Sequence, residues 1–253
     1  MLVLGESGTG KELVARALHQ ASPRAAKPFH AINCSTIVDT LAESELFGAK
    51  KGSFTGASVD RVGLFMAAHQ STLFLDEVGT SSPALQAKLL RVLESGEFMS
   101  LGSATATKVD VRIVAATNAD LHEARASKQF RDDLYYRLAG AVIDIPPLRD
   151  RLEDIPLLVA HHMGVLSARL KKPIPRVDPD ALARMRAHSW PGNVRELENV
   201  LANAMTVCTG NVIHAADLPL RGGVSADAAV VESYEKAKQA FERAYVERLM
   251  RAT

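Results

Sequence analysis

Three clusters of residues have types and spacings suited to phosphate chemistry. The first is Gly5-Glu6-Ser7-Gly8-Thr9-Gly10-Lys11-Glu12, set between the apolar run Met1–Leu4 and the helix-like spacing of Leu13–Leu18. Its glycines let the backbone curl until several N–H groups point inward. With the positive end of the following helix they make an anion cradle, to which Lys11 adds an ammonium for β- and γ-phosphates. The bland alternative is a glycine-rich turn before a helix; the lysine and both flanking elements argue against it. Glu12 stands where a Ser or Thr ordinarily binds magnesium, so the metal must be held mainly from elsewhere. The second cluster closes the apolar run Ser71–Leu75 with two carboxylates, Asp76 and Glu77. Asp76 is placed to hold Mg²⁺ and Glu77 to orient and deprotonate an attacking water; an acidic helix start is the alternative. The third, Thr117-Asn118, ends the run Val109–Ala116 and offers hydrogen bonds to that water or to a γ-phosphate. An ordinary turn with Asn118 as a cap remains open there.

These groups need a parallel sheet behind them. A strand buried on both faces reads as a continuous apolar run, and ligands of open α/β sheets sit at the carboxyl ends of such strands. Pro28–Cys34 reads as a further strand, short and mostly buried, with Asn33 either a cap at its end or a functional group. A short helix is expected over Leu41–Phe47, then a glycine-rich loop ending in Gly52-Ser53-Phe54-Thr55-Gly56-Ala57. Phe54 is either an exposed partner contact or an anchor tucked into the core; both readings stand. Leu64–Ala68 reads as helical. Pro83 opens an amphipathic helix over Ala84–Leu93, and Gly96–Lys108 is a loop or hairpin with Gly102-Ser103 at its tip. In Phe130–Leu138, Arg131 and Arg137 are six positions apart and do not share a helix face. On chemistry alone they are surface arginines paired with Asp132 and Asp133. Ala141–Ile145 is expected as the last core strand, and Pro146-Pro147 breaks the pattern. The expected nucleotide-binding domain is 1–147.

Beyond the break the chain turns helical, and 148–221 reads as a small helical lid. Helices are expected from about Glu153 to Leu170, over Asp180–His188 behind the cap Asp178-Pro179, and over Val194–Val207 behind the turn Ser189–Asn193. Arg195 falls in the first turn of the last of these, against the helix dipole. That position calls for an anionic partner, which Glu196 or Glu198 would also satisfy. Gly222-Gly223 marks a linker, and the repeat of Val230, Tyr234, Ala237, Phe241, Tyr245 and Leu249 at three and four reads as one long amphipathic helix to the C-terminus within the segment 222–253.

Composition bounds the partners. The chain has 253 residues, 47% hydrophobic, with 29 acidic against 30 basic side chains, so no global field draws it onto nucleic acid or a membrane. Two distant cysteines, Cys34 and Cys208, show no metal-ligand spacing and fit a reduced, cytoplasmic setting. No apolar run reaches the length of a membrane span. The chain opens inside a core strand, which leads us to expect residues upstream.

Together the motifs resemble the central AAA+ domain of sigma-54-dependent bacterial transcription activators, over about Met1–Leu220. The likeness rests on Gly5–Glu12, Gly52–Ala57, Leu75-Asp76-Glu77, Phe130–Arg137 and Trp190-Pro191-Gly192-Asn193-Val194-Arg195-Glu196-Leu197. It implies an α/β P-loop fold with a five-stranded parallel sheet flanked by helices, followed by an all-helical lid. It implies Mg-ATP bound along Gly5–Glu12, Lys11 and Asp76, with Glu12 an ordinary member of the motif. Asn33 resembles the switch that hydrogen-bonds Glu77, Thr117-Asn118 sensor I, and Arg195 sensor II. Arg131 and Arg137 resemble arginine fingers serving a neighbouring subunit, which implies a ring, typically a hexamer. Phe54 and Thr55, within Gly52–Ala57, resemble the tip that touches sigma-54. The family's helix-turn-helix, through which promoter DNA would be bound, has no counterpart in the chain. Two substitutions depart from the family: Ser53 replaces an alanine, and Ala49-Lys50 replace His-Glu. The implied function is ATP-driven remodelling of the sigma-54 polymerase closed complex; a nucleotide-dependent binding module without that coupling is the alternative.

Overall fold

The computed structural model describes residues 1–35, 39–53, 59–208 and 210–220, with backbone only for 39–41. The loop tip Phe54–Ala57 and the C-terminal helix expected from the repeat Val230–Leu249 therefore lie outside the described residues. The chain divides into two compact units, Met1–Pro147 and Leu148–Thr253.

The first unit runs β1 (Leu2–Leu4), α1 (Lys11–Gln20), β2 (Phe29–Asn33), α2 (Asp39–Phe47), α3 (Leu64–Ala67), β3 (Thr72–Asp76), α4 (Pro83–Ser95), β4 (Glu97–Phe98), β5 (Thr107–Lys108), β6 (Arg112–Thr117), α5 (Leu121–Ala126), α6 (Asp132–Leu138) and β7 (Val142–Asp144). Five strands form one parallel sheet in the order β2-β3-β6-β1-β7. Alternation along β3 explains why it is apolar throughout. Leu73 and Leu75 join a core with Phe47, Phe65, Leu85 and Leu89, while Phe74 faces the opposite way with Val3, Ala15 and Val114. Local chemistry sets the ends of α4. Ser82 Oγ accepts from the Leu85 N–H, Pro83 takes the first position, and Gly96 closes the helix in the left-handed region.

Several sequence expectations change. The strand β2 is an edge strand in which Ile32 alone is buried, not a mostly buried one. The opposite edge is β7, whose Val142 and Asp144 are exposed. Apolar content marks a strand, but position in the sheet decides its burial. Glu77 lies past the end of β3 and opens a short 3-10 turn, Val78–Thr80. Arg131 is the residue before α6, not within it. The segment after Gly96 is the hairpin, pairing Glu97 with Lys108.

The second unit contains α7 (Ile155–Leu170), β8 (Arg176–Val177), α8 (Pro179–Arg186), α9 (Asn193–Val207) and β9 (Val212–Ile213). Its core gathers Trp190, Leu166, Leu197, Leu201 and Ile213. The Trp190 indole donates to Met185 O at 2.8 Å, so the largest buried side chain also satisfies its one polar group. Asp178 caps α8 as expected. Among the described residues the helical unit also carries a two-residue parallel pairing of β8 with β9. Among the described residues no helix is long and apolar enough to cross a membrane.

Candidate active site

Three neighbouring strands bring the three sequence clusters together. β1 and β3 flank β6, with Leu4 opposite Thr117 and Asn33 of β2 opposite Asp76. The loop 5–10, the pair Asp76-Glu77 and the pair Thr117-Asn118 thus emerge at one carboxyl edge.

The cradle is built locally. Gly10 sits at φ +102° immediately before α1, where a side chain would be strained. No side chain caps that helix, so its first N–H groups remain directed at the loop. Thr9 Oγ1 donates to Glu6 O at 2.8 Å and tightens the turn. Lys11 is buried, and its ammonium donates to Gly5 O at 2.9 Å and Glu6 O at 3.3 Å. Glu12 points back along its own helix, accepting from Arg16 at 2.9 and 2.6 Å.

Glu77 holds the centre. Its φ of +52° is a left-handed conformation rare for a residue with a side chain. Such strain persists where surrounding bonds fix it. Glu77 Oε2 accepts the Asn118 N–H at 3.0 Å, and Thr117 Oγ1 stands 3.5 Å away. Oε1 lies 3.5 Å from Lys11 Nζ. The capping alternative for Asn118 is corrected, because Asp120 caps α5 through the His122 and Glu123 N–H groups. Asp76 Oδ1 accepts the Glu77 N–H at 3.1 Å. Burial, then the neighbouring Glu77 carboxylate, pushes the Asp76 carboxyl above the usual carboxylate range. Asn33 donates to Asp76 Oδ2 at 3.3 Å, a correction to the expected bond with Glu77. The register that sets Asn33 beside Asp76 explains the difference. Next to Asn33, burial drives the Cys34 thiol up to about 11, which argues against thiolate chemistry.

Magnesium fits this donor set in a limited way. A single carboxylate plus phosphate oxygens and water is an ordinary Mg²⁺ environment. Asp76 supplies that carboxylate, and Glu12 is committed to Arg16. Among the described residues no group of three or more His, Cys, Asp or Glu side chains is gathered for a metal.

The remaining expected site residues make other contacts or belong to the second unit. Arg131 pairs with Asp133 through two bonds of 3.0 and 2.7 Å, and Arg137 donates to Leu93 O at 2.9 Å. Asp132 bonds Arg125 instead. Arg195 is exposed in the first turn of α9, in the second unit. Of the loop Gly52–Ala57, only Gly52 and Ser53 are described. Its stem is well built. Ala49 and Arg61 exchange both backbone bonds, and Lys50 N–H reaches Leu101 O at 2.9 Å. Ser53 Oγ is buried and lacks a hydrogen-bond partner among the described residues.

One polar residue escaped the sequence reading. Gln86 is fully buried on α4 and bonds the backbone on either side of Phe130. The signal was present: Gln86 falls three and seven positions before Leu89 and Leu93, inside the apolar stripe.

Comparisons with known proteins agree with this geometry. Residues 1–144 match the family described as Sigma-54 interaction domain, and residues 149–233 match the AAA+ ATPase lid domain. The chain is 52% identical over 213 residues to a Nif-specific regulatory protein of Herbaspirillum seropedicae, covering 84% of this chain and 39% of that one. It is 49% identical over 219 residues to the regulatory protein AtoC of Escherichia coli, covering 87% and 48%. The chain therefore spans less than half the length of these curated relatives. Crystal structures of NtrX from Brucella abortus superpose with a TM-score of 0.82 at 37% identity, covering 98% of this chain and 57% of that one. The complex of that protein with ATP superposes at 0.80, with 35% identity over 98% and 57%.

Proposed function

The chain belongs to the sigma-54 interaction domain family of AAA+ ATPases, and from that premise we propose that it hydrolyses ATP to remodel the sigma-54 polymerase closed complex. The observation that carries the reading is Glu77, a strained carboxylate held by the Asn118 N–H and facing Lys11 at the open edge of the sheet. The cradle Gly5–Gly10, with Ser7 and Thr9 in the loop, and the first turn of α1, which holds Glu12, bind the phosphates. Lys11 neutralises the β- and γ-phosphates. Glu77 orients the attacking water and takes its proton. Thr117 and Asn118 hold the Glu77 carboxylate and line the γ-phosphate side. Asp76 would hold Mg²⁺, whose chemistry is to screen phosphate charge.

The site is completed by a second copy. Arg131 and Arg137 serve the neighbour's nucleotide in a ring, a hexamer in this reading, and Arg195 acts from the lid. A finger of this kind is worth roughly 10³–10⁵ in turnover in other nucleotide hydrolases. Nucleotide state reaches sigma-54 through Gly52–Ala57, with Phe54 and Thr55 at the tip, and Asn33 links Asp76 to that response. Hydrolysis should rise steeply with protein concentration, and Glu77→Ala should abolish it while nucleotide binding persists. Concentration-independent hydrolysis, indifferent to Arg131→Ala and Arg137→Ala, would sink the shared-site reading.

A second reading has one observation in its favour. The buried Ser53 hydroxyl, without a hydrogen-bond partner among the described residues, sits at the base of the contact loop, where the resemblance leads us to expect alanine. A module that binds nucleotide without engaging sigma-54 fits a loop so altered. Complex formation with sigma-54 in the presence of a γ-phosphate mimic, lost in Phe54→Ala, decides for the first reading.

A further inference from the structure

Gln86 is buried without exposure, and its amide is engaged on both ends. Nε2 donates to Ser81 O at 2.8 Å and to Gln129 O at 2.9 Å, while Oε1 accepts the Arg131 N–H at 2.9 Å. Two carbonyls and one N–H fix which end of the amide is oxygen, because the flipped amide would set donor against donor. The partners belong to two functional segments. Ser81 closes the turn that opens at Glu77, through Thr80 N–H to Glu77 O and Ser81 N–H to Val78 O, each at 3.1 Å. Gln129 and Arg131 straddle the buried Phe130 at the entry to α6.

We propose that Gln86 is a positioning residue that ties the turn behind Glu77 to the backbone of Arg131. A displacement of that turn in one protomer's site is thereby passed to the finger the same protomer offers its neighbour. The inference rests on the shared-site reading above. The link acts on the backbone and not on the guanidinium, which Asp133 holds separately. A buried amide with both ends bonded does not yield one bond without leaving a polar group unpaired. Movement at Ser81 is therefore transmitted and not absorbed. Gln86 sets where the Arg131 Cα stands, and Asp133 sets where its head rests.

The test compares Gln86→Met, which keeps the volume and removes all three bonds, with Gln86→Glu, which keeps only the acceptor for the Arg131 N–H. Misplacing a group by about 1 Å costs on the order of 10²-fold in rate. Turnover of Gln86→Met is expected to fall by roughly 10- to 100-fold, with KM and ATP affinity little changed, and Gln86→Glu, whose carboxyl oxygen faces the Ser81 and Gln129 carbonyls, should lose at least as much. Mixing Gln86→Met protomers with Lys11→Ala protomers, whose own site is dead and whose finger is intact, should restore turnover per Gln86→Met protomer. Loss of turnover that mixing does not restore, or a parallel loss of ATP affinity, would overturn the proposal as a local structural effect. If the methionine variant does not fold, Gln86→Glu carries the same mixing comparison. A fully active Gln86→Met beside an inactive Arg131→Ala overturns this inference alone; an unaffected Arg131→Ala overturns the shared-site reading together with it.

Discussion

Lys11 and Glu77 face each other at the carboxyl edge of the sheet, Nζ to Oε1 at 3.5 Å, with the lysine side chain only 7% exposed. The ammonium is shared between that carboxylate and the carbonyls of Gly5 and Glu6. A polyphosphate entering the cradle competes with Glu77 for the same charge. Glu77→Gln should therefore bind ATP at least as tightly as the parent while its turnover falls by roughly 10²–10⁴. Calorimetry and steady-state hydrolysis check both halves; weaker binding would contradict the competition.

Asp76 gives a pH dependence with a definite sign. Burial and Glu77 raise its pKa in the folded chain, so the fold favours the protonated form. Its contribution to stability is fully present below the unfolded aspartate value and is lost as pH rises through the folded one. Mg²⁺ needs the ionised form. Mg-ATP binding should weaken on acidification at a pH above that expected of an ordinary aspartate, with a proton released on binding in that window. Calorimetry in buffers of different ionisation enthalpy reads the proton directly, and Asp76→Asn should release none.

The stem of the loop Gly52–Ala57 is pinched at two glycines, Gly48 and Gly63. A Cβ on Gly63 would lie 2.3 Å from Gly48 N, 2.4 Å from Phe47 C and 2.6 Å from Leu46 O, all of them backbone. Gly63→Ala should destabilise the chain by about 1–3 kcal/mol and separate the two sides of the stem. Thermal denaturation measures the first effect. Nucleotide-dependent capture of sigma-54 measures the second, which should fall more than ATP binding does.

Ser53→Ala removes a buried hydroxyl that has no hydrogen-bond partner among the described residues. The substitution should be neutral or stabilising, by up to about 1 kcal/mol, and should raise sigma-54 capture if the hydroxyl holds the loop back. A loss of stability on denaturant unfolding would show that the hydroxyl is satisfied in solution.

Much of the site was legible because its parts are contiguous. Gly5–Lys11 is a strand end, a turn and a helix start, each specified by neighbours within a few residues. The caps at Ser82 and Asp178 are likewise short-range. The apolar runs foretold the strands for the same reason. Their burial was not legible, since β2 and β7 are apolar yet lie at the edges of the sheet.

By itself, then, the sequence determined the cradle, the carboxylate pair and the helices that carry Arg137 and Arg195. Backbone curvature, capping and periodicity depend on residues close along the chain. Only the tertiary structure decided what those groups touch. The Asn118 N–H reaches Glu77 from 41 residues away, Asn33 meets Asp76 from 43, and Gln86 meets the Arg131 N–H from 45. Strand order and register set the first two, and the packing of α4 against α6 sets the third; each arises from burying the apolar faces of the sheet and its helices together.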